Sequence, residues 1–300
     1  MKKNNDLPAA TALGEWMTRA TRERLEPGTT GRSTACSLSE ASVEVGALVG
    51  FVLQRPRAWI LAHPEQKLTA EQAARLNALL ERLSAGEPLP YLTGRQEFYG
   101  LDFEVTPDVL IPRPETELLV EEALGWLREH PTARRMVDVG TGSGCIAASI
   151  LTHCPRLSAE AVDVSQAALA VARRNAARHG VAERAVFTQG DLLDGLDGPF
   201  DLLCANLPYI PSGALASLPV TRYEPRLALD GGPDGLRLVA ALVRQAPRAL
   251  QPESLALFEI EAGQGRAAEA LAREVFPPAG IHVLRDLAGH DRLLRIELGG

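Results

Sequence analysis

The sequence predicts an α/β fold: a doubly wound, mostly parallel sheet preceded by a small helical domain. Three observations carry this reading. From residue 135 onward, short apolar β-type runs alternate with stretches of helical periodicity. A glycine-rich turn, Gly140 to Gly144, joins the first of those runs to a helix. Before residue 88 the apolar residues recur at helical spacing instead.

Residues 8–26 and 38–54 read as helices, the first broken by Pro27-Gly28 and the second capped by Ser37 or Ser39. Thr69 with Gln72 three residues later forms a capping box for a helix running to about Leu83. Gly86, Pro88 and Pro90 then punctuate the chain, so residues 1–88 form the predicted helical domain. Between residues 89 and 112, Phe98, Leu101, Phe103 and Val105 fall near alternating positions around Gly100, which predicts a β-hairpin linker. A helix follows from Glu115 to about Arg128.

The remaining spacing predicts strand 135–139, helix 144–153, strand 159–163, helix 166–179 and strands 184–189 and 200–205. A long loop through Gly232 leads to helix 235–249, strand 254–261, helix 265–275 and final strands near 280–285 and 292–297. Seven strands alternating with helices imply a mostly parallel sheet covered on both faces, filling a domain over residues 113–300.

Hydrophobic residues make up 46% and charged residues 23%, an ordinary globular balance with enough apolar mass for a sizeable core. The net charge is −7, and residues 1–90 hold 11 Lys+Arg against 10 Asp+Glu, so the negative excess lies in the larger C-terminal part. Such a balance argues against a direct nucleic-acid partner, which needs a cationic footprint. The four cysteines, Cys36, Cys145, Cys154 and Cys204, include no CxxC pair, so no metal site or disulfide is expected. No apolar run follows the N-terminal lysines, and Val43 to Leu53 is too short to span a bilayer and contains Glu44. A cytoplasmic protein with no membrane attachment is expected.

Met136 to Ala147 reads strand, glycine turn, helix start. Gly140, Gly142 and Gly144 permit tight turns and close approach of backbone to a ligand at a helix N-terminus. Their G-x-G-x-G spacing differs from the G-x-G-x-x-G of dinucleotide sites, which disfavours an NAD dehydrogenase. Asp163 ends the second strand, where a carboxylate accepts from ribose hydroxyls; helix N-capping is the structural alternative for it. After the third strand, Asp191 and Leu192 are placed to flank an adenine, although a plain loop aspartate fits Asp191 as well.

Asn206-Leu207-Pro208-Tyr209 ends the next buried strand, on the edge that faces the ligand crevice of an open parallel sheet. An amide or exocyclic amine is a weak nucleophile because its lone pair is delocalised. Asn206 Oδ1 and the Leu207 carbonyl can each accept one N–H of such a group and stabilise the acidity that grows as a methyl arrives. Pro208 biases Leu207 to an extended conformation, and Tyr209 offers a face for a planar group. Arg113-Pro114-Glu115-Thr116-Glu117 is explained in large part as a helix start, with two acids in its first turn. Asp286, His290 and Asp291 read as surface loop residues without a catalytic role.

The chain resembles the release-factor glutamine methyltransferases of the PrmC/HemK type. The resemblance lies in GEPLPYLTGRQEFYGLDFEV (86–105), LIPRPETELLVE (110–121), DVGTGSG (138–144), NLPY (206–209), YEPRLALDGGPDGL (223–236) and EIEAGQG (259–265). It implies S-adenosylmethionine as methyl donor, the glutamine of a Gly-Gly-Gln tripeptide in class-I peptide-chain release factors as acceptor, and a 113–117 loop that also borders the cofactor and substrate pocket. Cofactor contacts are then expected from Gly140, Thr141, Gly142, Ser143, Gly144, Asp163, Asp191, Leu192 and Asn206, and substrate contacts with the chemistry from Asn206, Leu207, Pro208 and Tyr209. Leu207 stands where the family has a proline, and Leu192 where relatives often carry an aromatic residue beside the third-strand aspartate. An adenine-N6 nucleic-acid methyltransferase would need the same pair of acceptors, and a non-catalytic S-adenosylmethionine-binding regulator would not need Asn206 and Tyr209 together.

Overall fold

A computed structural model describes residues 11–25 and 37–299. Pro27-Gly28, Cys36 and the outer ends of the first expected helix lie outside the described residues. The chain divides into two compact units, Met1–Gly94 and Arg95–Gly300.

The first unit is helical: α1 (Leu13–Leu25), α2 (Leu38–Leu53), α3 (Arg57–Ala62), α4 (Ala70–Ser84) and α5 (Leu89–Thr93). Ser37 caps α2 in a box with Glu40, and Thr69 caps α4 in the expected box with Gln72. Each box satisfies N–H groups that the first helical turn leaves without partners. Leu13, Trp16, Val45, Leu48, Leu76 and Leu80 meet in the unit's core, and Trp16 Nε1 donates to Asn77 Oδ1 at 2.9 Å. The short helices α3 and α5 were not expected. Six and five residues give too few turns for a periodic signal, and Pro90 stands in the first turn of α5.

The second unit opens with the hairpin β1 (Arg95–Phe98) and β2 (Leu101–Glu104). Tyr99 and Gly100 form its two-residue turn, both at positive φ, as a tight hairpin turn of matching twist requires. A 3-10 turn at Pro114–Thr116 then leads into α6 (Glu117–Glu129). Next come β3 (Arg135–Val139), α7 (Cys145–His153), β4 (Ser158–Asp163), α8 (Gln166–Arg178), β5 (Ala185–Gln189) and β6 (Phe200–Ala205). The chain ends with α9 (Arg237–Gln245), β7 (Leu250–Glu259), α10 (Gly265–Val275), β8 (Gly280–Arg285) and β9 (Asp291–Glu297).

The seven strands β3–β9 lie in the order β5-β4-β3-β6-β7-β9-β8. All neighbours are parallel except those of β9, which runs antiparallel to β7 and β8. The strand order reverses between β3 and β6, and two apolar clusters fill the sheet's faces. One packs α6 and α7 against the sheet, the other α9 and α10. This is the doubly wound, mostly parallel sheet expected from the alternation of elements.

One buried side chain ties three of these elements together. Asn175 of α8 is fully buried; its Oδ1 accepts from Glu104 N at 2.7 Å, and its Nδ2 donates to the Glu104 and Ser143 carbonyls, each at 2.9 Å. It thereby fixes the hairpin and the glycine turn to the same helix. Asn175→Ala leaves one N–H and two carbonyls without that partner, so urea unfolding should show a loss of about 2–4 kcal/mol.

Candidate active site

Parallel pairing sets Val139 of β3 opposite Ala205 of β6, so the loops that follow the two strands leave the same sheet edge as neighbours. That edge, at the reversal of strand order, is where open α/β sheets hold ligands. A cavity of about 660 Å³ opens there. Its walls include Gly140, Thr141, Gly142, Ser143, Asp163, Asp191, Leu192, Asn206, Leu207 and Pro208.

The structure thus brings together most of the expected residues and sets two apart. Gly144 is the N-cap of α7, at φ +78°, and a Cβ there would meet Ala172 of α8 at 3.1 Å; its smallness serves helix packing. Tyr209 does not line the cavity. Its hydroxyl donates to Glu259 Oε1 at 3.3 Å, and burial raises its pKa.

The glycine turn is shaped by contacts that only glycine permits. Gly140 and Gly142 take positive φ, and a Cβ on Gly140 would stand 2.8 Å from Leu207 Cδ2. Gly140 N and Thr141 N both donate to the Val162 carbonyl, which clamps the turn to β4. Beneath it lies Asp138, fully buried, whose Oδ2 accepts from Thr141 Oγ1 at 2.7 Å and from Ala147 N at 3.3 Å, while Oδ1 is buried without a partner. Burial pushes its pKa up to about 6. Sequence reasoning missed Asp138, although its place inside DVGTGSG marked it.

Asp163 is not the helix cap. Ser165 caps α8, and Asp163 instead accepts from Ser165 N at 2.8 Å and from Gly142 N at 2.9 Å, one bond to each carboxylate oxygen. Both oxygens keep a further lone pair for a ligand. Burial raises the pKa, partly offset by these backbone donors. Asp191 is exposed, and Leu192 is buried at φ +53°, a conformation rare for leucine.

Asn206 is half-buried, and its Nδ2 donates to Thr116 Oγ1 at 3.0 Å. The 113–117 segment therefore does more than start a helix. Arg113 Nη2 pairs with Glu224 Oε1 at 2.5 Å, Glu224 Oε2 accepts from Ile111 N at 3.4 Å, and Glu117 Oε1 accepts from Tyr99 N at 2.9 Å. Gln264 Nε2 donates to the Tyr209 carbonyl at 3.0 Å, and a Cβ on Gly235 would collide with that same carbonyl. The motifs around 110, 206, 223 and 259 thus join in one hydrogen-bonded shell around the cavity.

Asp286 is half-buried, accepts from the backbone of Ala288 and His290, and pairs with Arg292 at 3.1 Å; His290 is exposed. Among the described residues no cluster of His, Cys, Asp or Glu is placed to hold a metal ion, and no helix is long and apolar enough to cross a membrane. Cys145, Cys154 and Cys204 are buried free thiols.

A glycine turn and a strand-end asparagine thus stand on adjacent loops at one cavity of this sheet, and similarity to known proteins shows the chain to be a methyltransferase. Residues 33–94 match the family described as PrmC N-terminal domain, and residues 115–221 match the methyltransferase small domain. The chain is 45% identical to the release factor glutamine methyltransferase of Moorella thermoacetica, over 87% of this chain and 93% of that one. It is 38% identical to the same-named protein of Nitratidesulfovibrio vulgaris, over 96% of each chain, and 43% identical to that of Bordetella pertussis, over 84% and 93%. This chain belongs to the release factor glutamine methyltransferase family. Among solved structures, the hMettl16 catalytic domain in complex with MAT2A 3'UTR hairpin 6 shares the fold at TM-score 0.54 and 14% identity, over 78% of this chain and 84% of that one.

Glu259, at the end of β7, is buried, and burial raises its pKa to about 7 against an ordinary 4.5. Between those values the folded chain keeps a proton that the unfolded chain has released, so the group's contribution to stability falls as pH rises through this window. A glutamine there never ionises. Glu259→Gln should match the parent near pH 4 and gain stability over it up to pH 8, by on the order of 3 kcal/mol, in thermal unfolding followed across that range.

Proposed function

We propose that this chain transfers a methyl group from S-adenosylmethionine to the side-chain amide nitrogen (N5) of the glutamine in the Gly-Gly-Gln motif of class-I peptide-chain release factors. The observation that carries the reading is the placement of Asn206 and Leu207 against the glycine turn, within one cavity. The names of the relatives supply the substrate. A reaction on a translation factor supports a cytoplasmic location.

The residues present fit the cofactor. Asp163 holds lone pairs that would serve ribose hydroxyls, Asp191 and Leu192 line the cavity where they would flank the adenine, and the Gly140–Ser143 turn would admit a ligand against bare backbone. When bound, S-adenosylmethionine supplies an electrophilic methyl on a sulfonium and, unlike a dinucleotide, brings no pyrophosphate to the helix N-terminus.

The protein's own part is to prepare the nucleophile. Asn206 Oδ1 and the Leu207 carbonyl accept the two amide N–H bonds, which fixes the nitrogen and leaves its face open. As positive charge develops on that nitrogen its protons become more acidic, the same two acceptors stabilise them, and one is released to water once the N–CH3 bond has formed. Pro208 holds the backbone extended so that the Leu207 carbonyl keeps its direction. Tyr209, next in the chain to Pro208, is held by its hydrogen bond to Glu259.

Calorimetry should show S-adenosylmethionine binding and little NAD binding, and Asp163→Ala should weaken it by about 10- to 150-fold, the worth of charge-assisted hydrogen bonds. Asn206→Ala should lower turnover by at least ~100-fold with a far smaller change in cofactor affinity. Mass spectrometry of release factor after reaction should find one added methyl on the Gly-Gly-Gln peptide. A methylated adenine in duplex DNA, with release factor untouched, would replace this reading with the nucleic-acid one.

The N-terminal helical unit is assigned the docking of the release factor, since a tripeptide alone offers few contacts. Deleting residues 1–88 should leave cofactor affinity nearly unchanged and sharply reduce methylation of full-length release factor, while methylation of a short Gly-Gly-Gln peptide changes little.

A further inference from the structure

Asn206 is useful to an incoming amide only with its oxygen, not its nitrogen, turned to the cavity. The two ends of a carboxamide have the same shape, so packing alone does not choose between them. Hydrogen-bond partners on the far side must choose. Here that partner is Thr116 Oγ1, which accepts from Asn206 Nδ2 at 3.0 Å. A hydroxyl, however, donates as readily as it accepts, so Thr116 fixes Asn206 only if something fixes Thr116.

Glu259 is placed to do that. Its side chain is buried, Oε1 accepts from the Tyr209 hydroxyl at 3.3 Å, and Oε2 is buried without a well-aligned hydrogen bond. The Thr116 hydroxyl lies beside this carboxyl and favours its ionised form. An ionised carboxylate only accepts, so it draws the protons of both hydroxyls towards itself. If the Thr116 proton turns to the unpartnered Oε2 of Glu259, Thr116 has only lone pairs for Asn206, which answers with Nδ2 as the 3.0 Å bond shows.

We infer that Glu259 and Thr116 are positioning residues that set the direction of the chain Asn206 Nδ2–Thr116–Glu259 and so present Asn206 Oδ1 to the substrate amide. This inference rests on the glutamine-methylation reading above. It gives the threonine of the Pro-Glu-Thr-Glu segment and the late glutamate of EIEAGQG a single task. Protonation of Glu259 removes the constraint, because a carboxylic acid can donate to Thr116, which then donates to Asn206 Oδ1. The carboxamide turns over and meets the substrate amide donor to donor.

Several charges face Glu259. Arg292 of β9 favours its ionised form and is held by Asp286, whereas Glu115 of the 3-10 turn opposes it. Tyr209 donates to it from the loop after β6, with Arg113 acting on the same phenol, and Cys145 lies within its field at the start of α7. Burial outweighs the rest and raises the pKa of Glu259 to about 7. The active form is the ionised one, so turnover should fall as pH drops below that value.

The test compares the intact enzyme with Thr116→Val, Thr116→Ser and Glu259→Gln, using purified release factor and S-adenosylmethionine. Thr116→Val and Glu259→Gln should lose roughly 10- to 100-fold in kcat, while KM for release factor and cofactor Kd by calorimetry stay within about 3-fold of the parent. Thr116→Ser should recover most of that loss. The acid limb of the parent's kcat profile, centred near pH 7, should be missing from Glu259→Gln. In the cofactor-free protein, the Asn206 side-chain amide signals in nitrogen-15 NMR, assigned by their loss in Asn206→Ala, should shift with the same midpoint. They should cease to respond to pH in Glu259→Gln. Parental kcat in Thr116→Val, an unchanged acid limb in Glu259→Gln, or loss of cofactor binding together with turnover would each overturn the inference. A parent that leaves release factor unmethylated instead defeats the reading on which it rests.

Discussion

The parallel pairing of β3 with β6 places Val139 against Ala205 and lets two loops of different chemistry leave one sheet edge side by side. One loop is bare backbone, bent by glycines; the other carries a carboxamide and a proline-directed carbonyl. Neither makes a site alone. A slip of one residue in this register would turn the whole face of β6 over and carry the Asn206 loop away from the glycine turn. The buried apolar side chains of both strands, Met136 and Leu202 towards one face and Val137, Val139 and Leu203 towards the other, hold the register because each is packed into its own cluster of helices.

Around that pair the protein builds its shell from segments distant in sequence. The stretch from Ile111 to Glu117 is the strap: it pairs with Glu224 through Arg113, reaches Asn206 through Thr116 and holds the hairpin turn through Glu117. Gln264 closes the other side by binding the Tyr209 carbonyl. Such a shell includes buried carboxyls at Asp138 and Glu259, each with one oxygen that lacks a partner. A fold selected for stability alone would avoid them. Their retention beside the cavity fits groups kept for what they do to their neighbours.

Much of this was legible in the sequence, and what was legible was local. β3 was read to the residue, and the capping box at Thr69 and the start of the glycine turn were read from neighbouring letters. Boundaries moved where proline intervened: α6 starts at Glu117 because Pro114 opens a 3-10 turn, and α9 ends at Gln245 before another such turn containing Pro247. The strand expected from residue 254 begins at Leu250, where a register irregularity against β6 and the polar run Gln251-Pro252-Glu253-Ser254 hide the alternation. The residues of the shell could not be read this way. Thr116 with Asn206, Arg113 with Glu224 and Tyr209 with Glu259 are partners joined only by the topology of the sheet, and no spacing rule links them. Within the expected helix 166–179 nothing in the spacing singles out Asn175, and only its three buried bonds distinguish it.

The leucine at position 207 has a consequence of its own. A second proline would stiffen this loop from within, by closing a ring on its own backbone. Leu207 lacks that ring, yet its side chain is buried against the hollow left by Gly140. The loop is therefore braced from outside, by a neighbour's missing atom. Residues 140 and 207 act as a lock and its bolt: enlarging one obliges the other to shrink, so the effects of changing them will not add. Rigidity that elsewhere would belong to one residue is here a property shared by two loops.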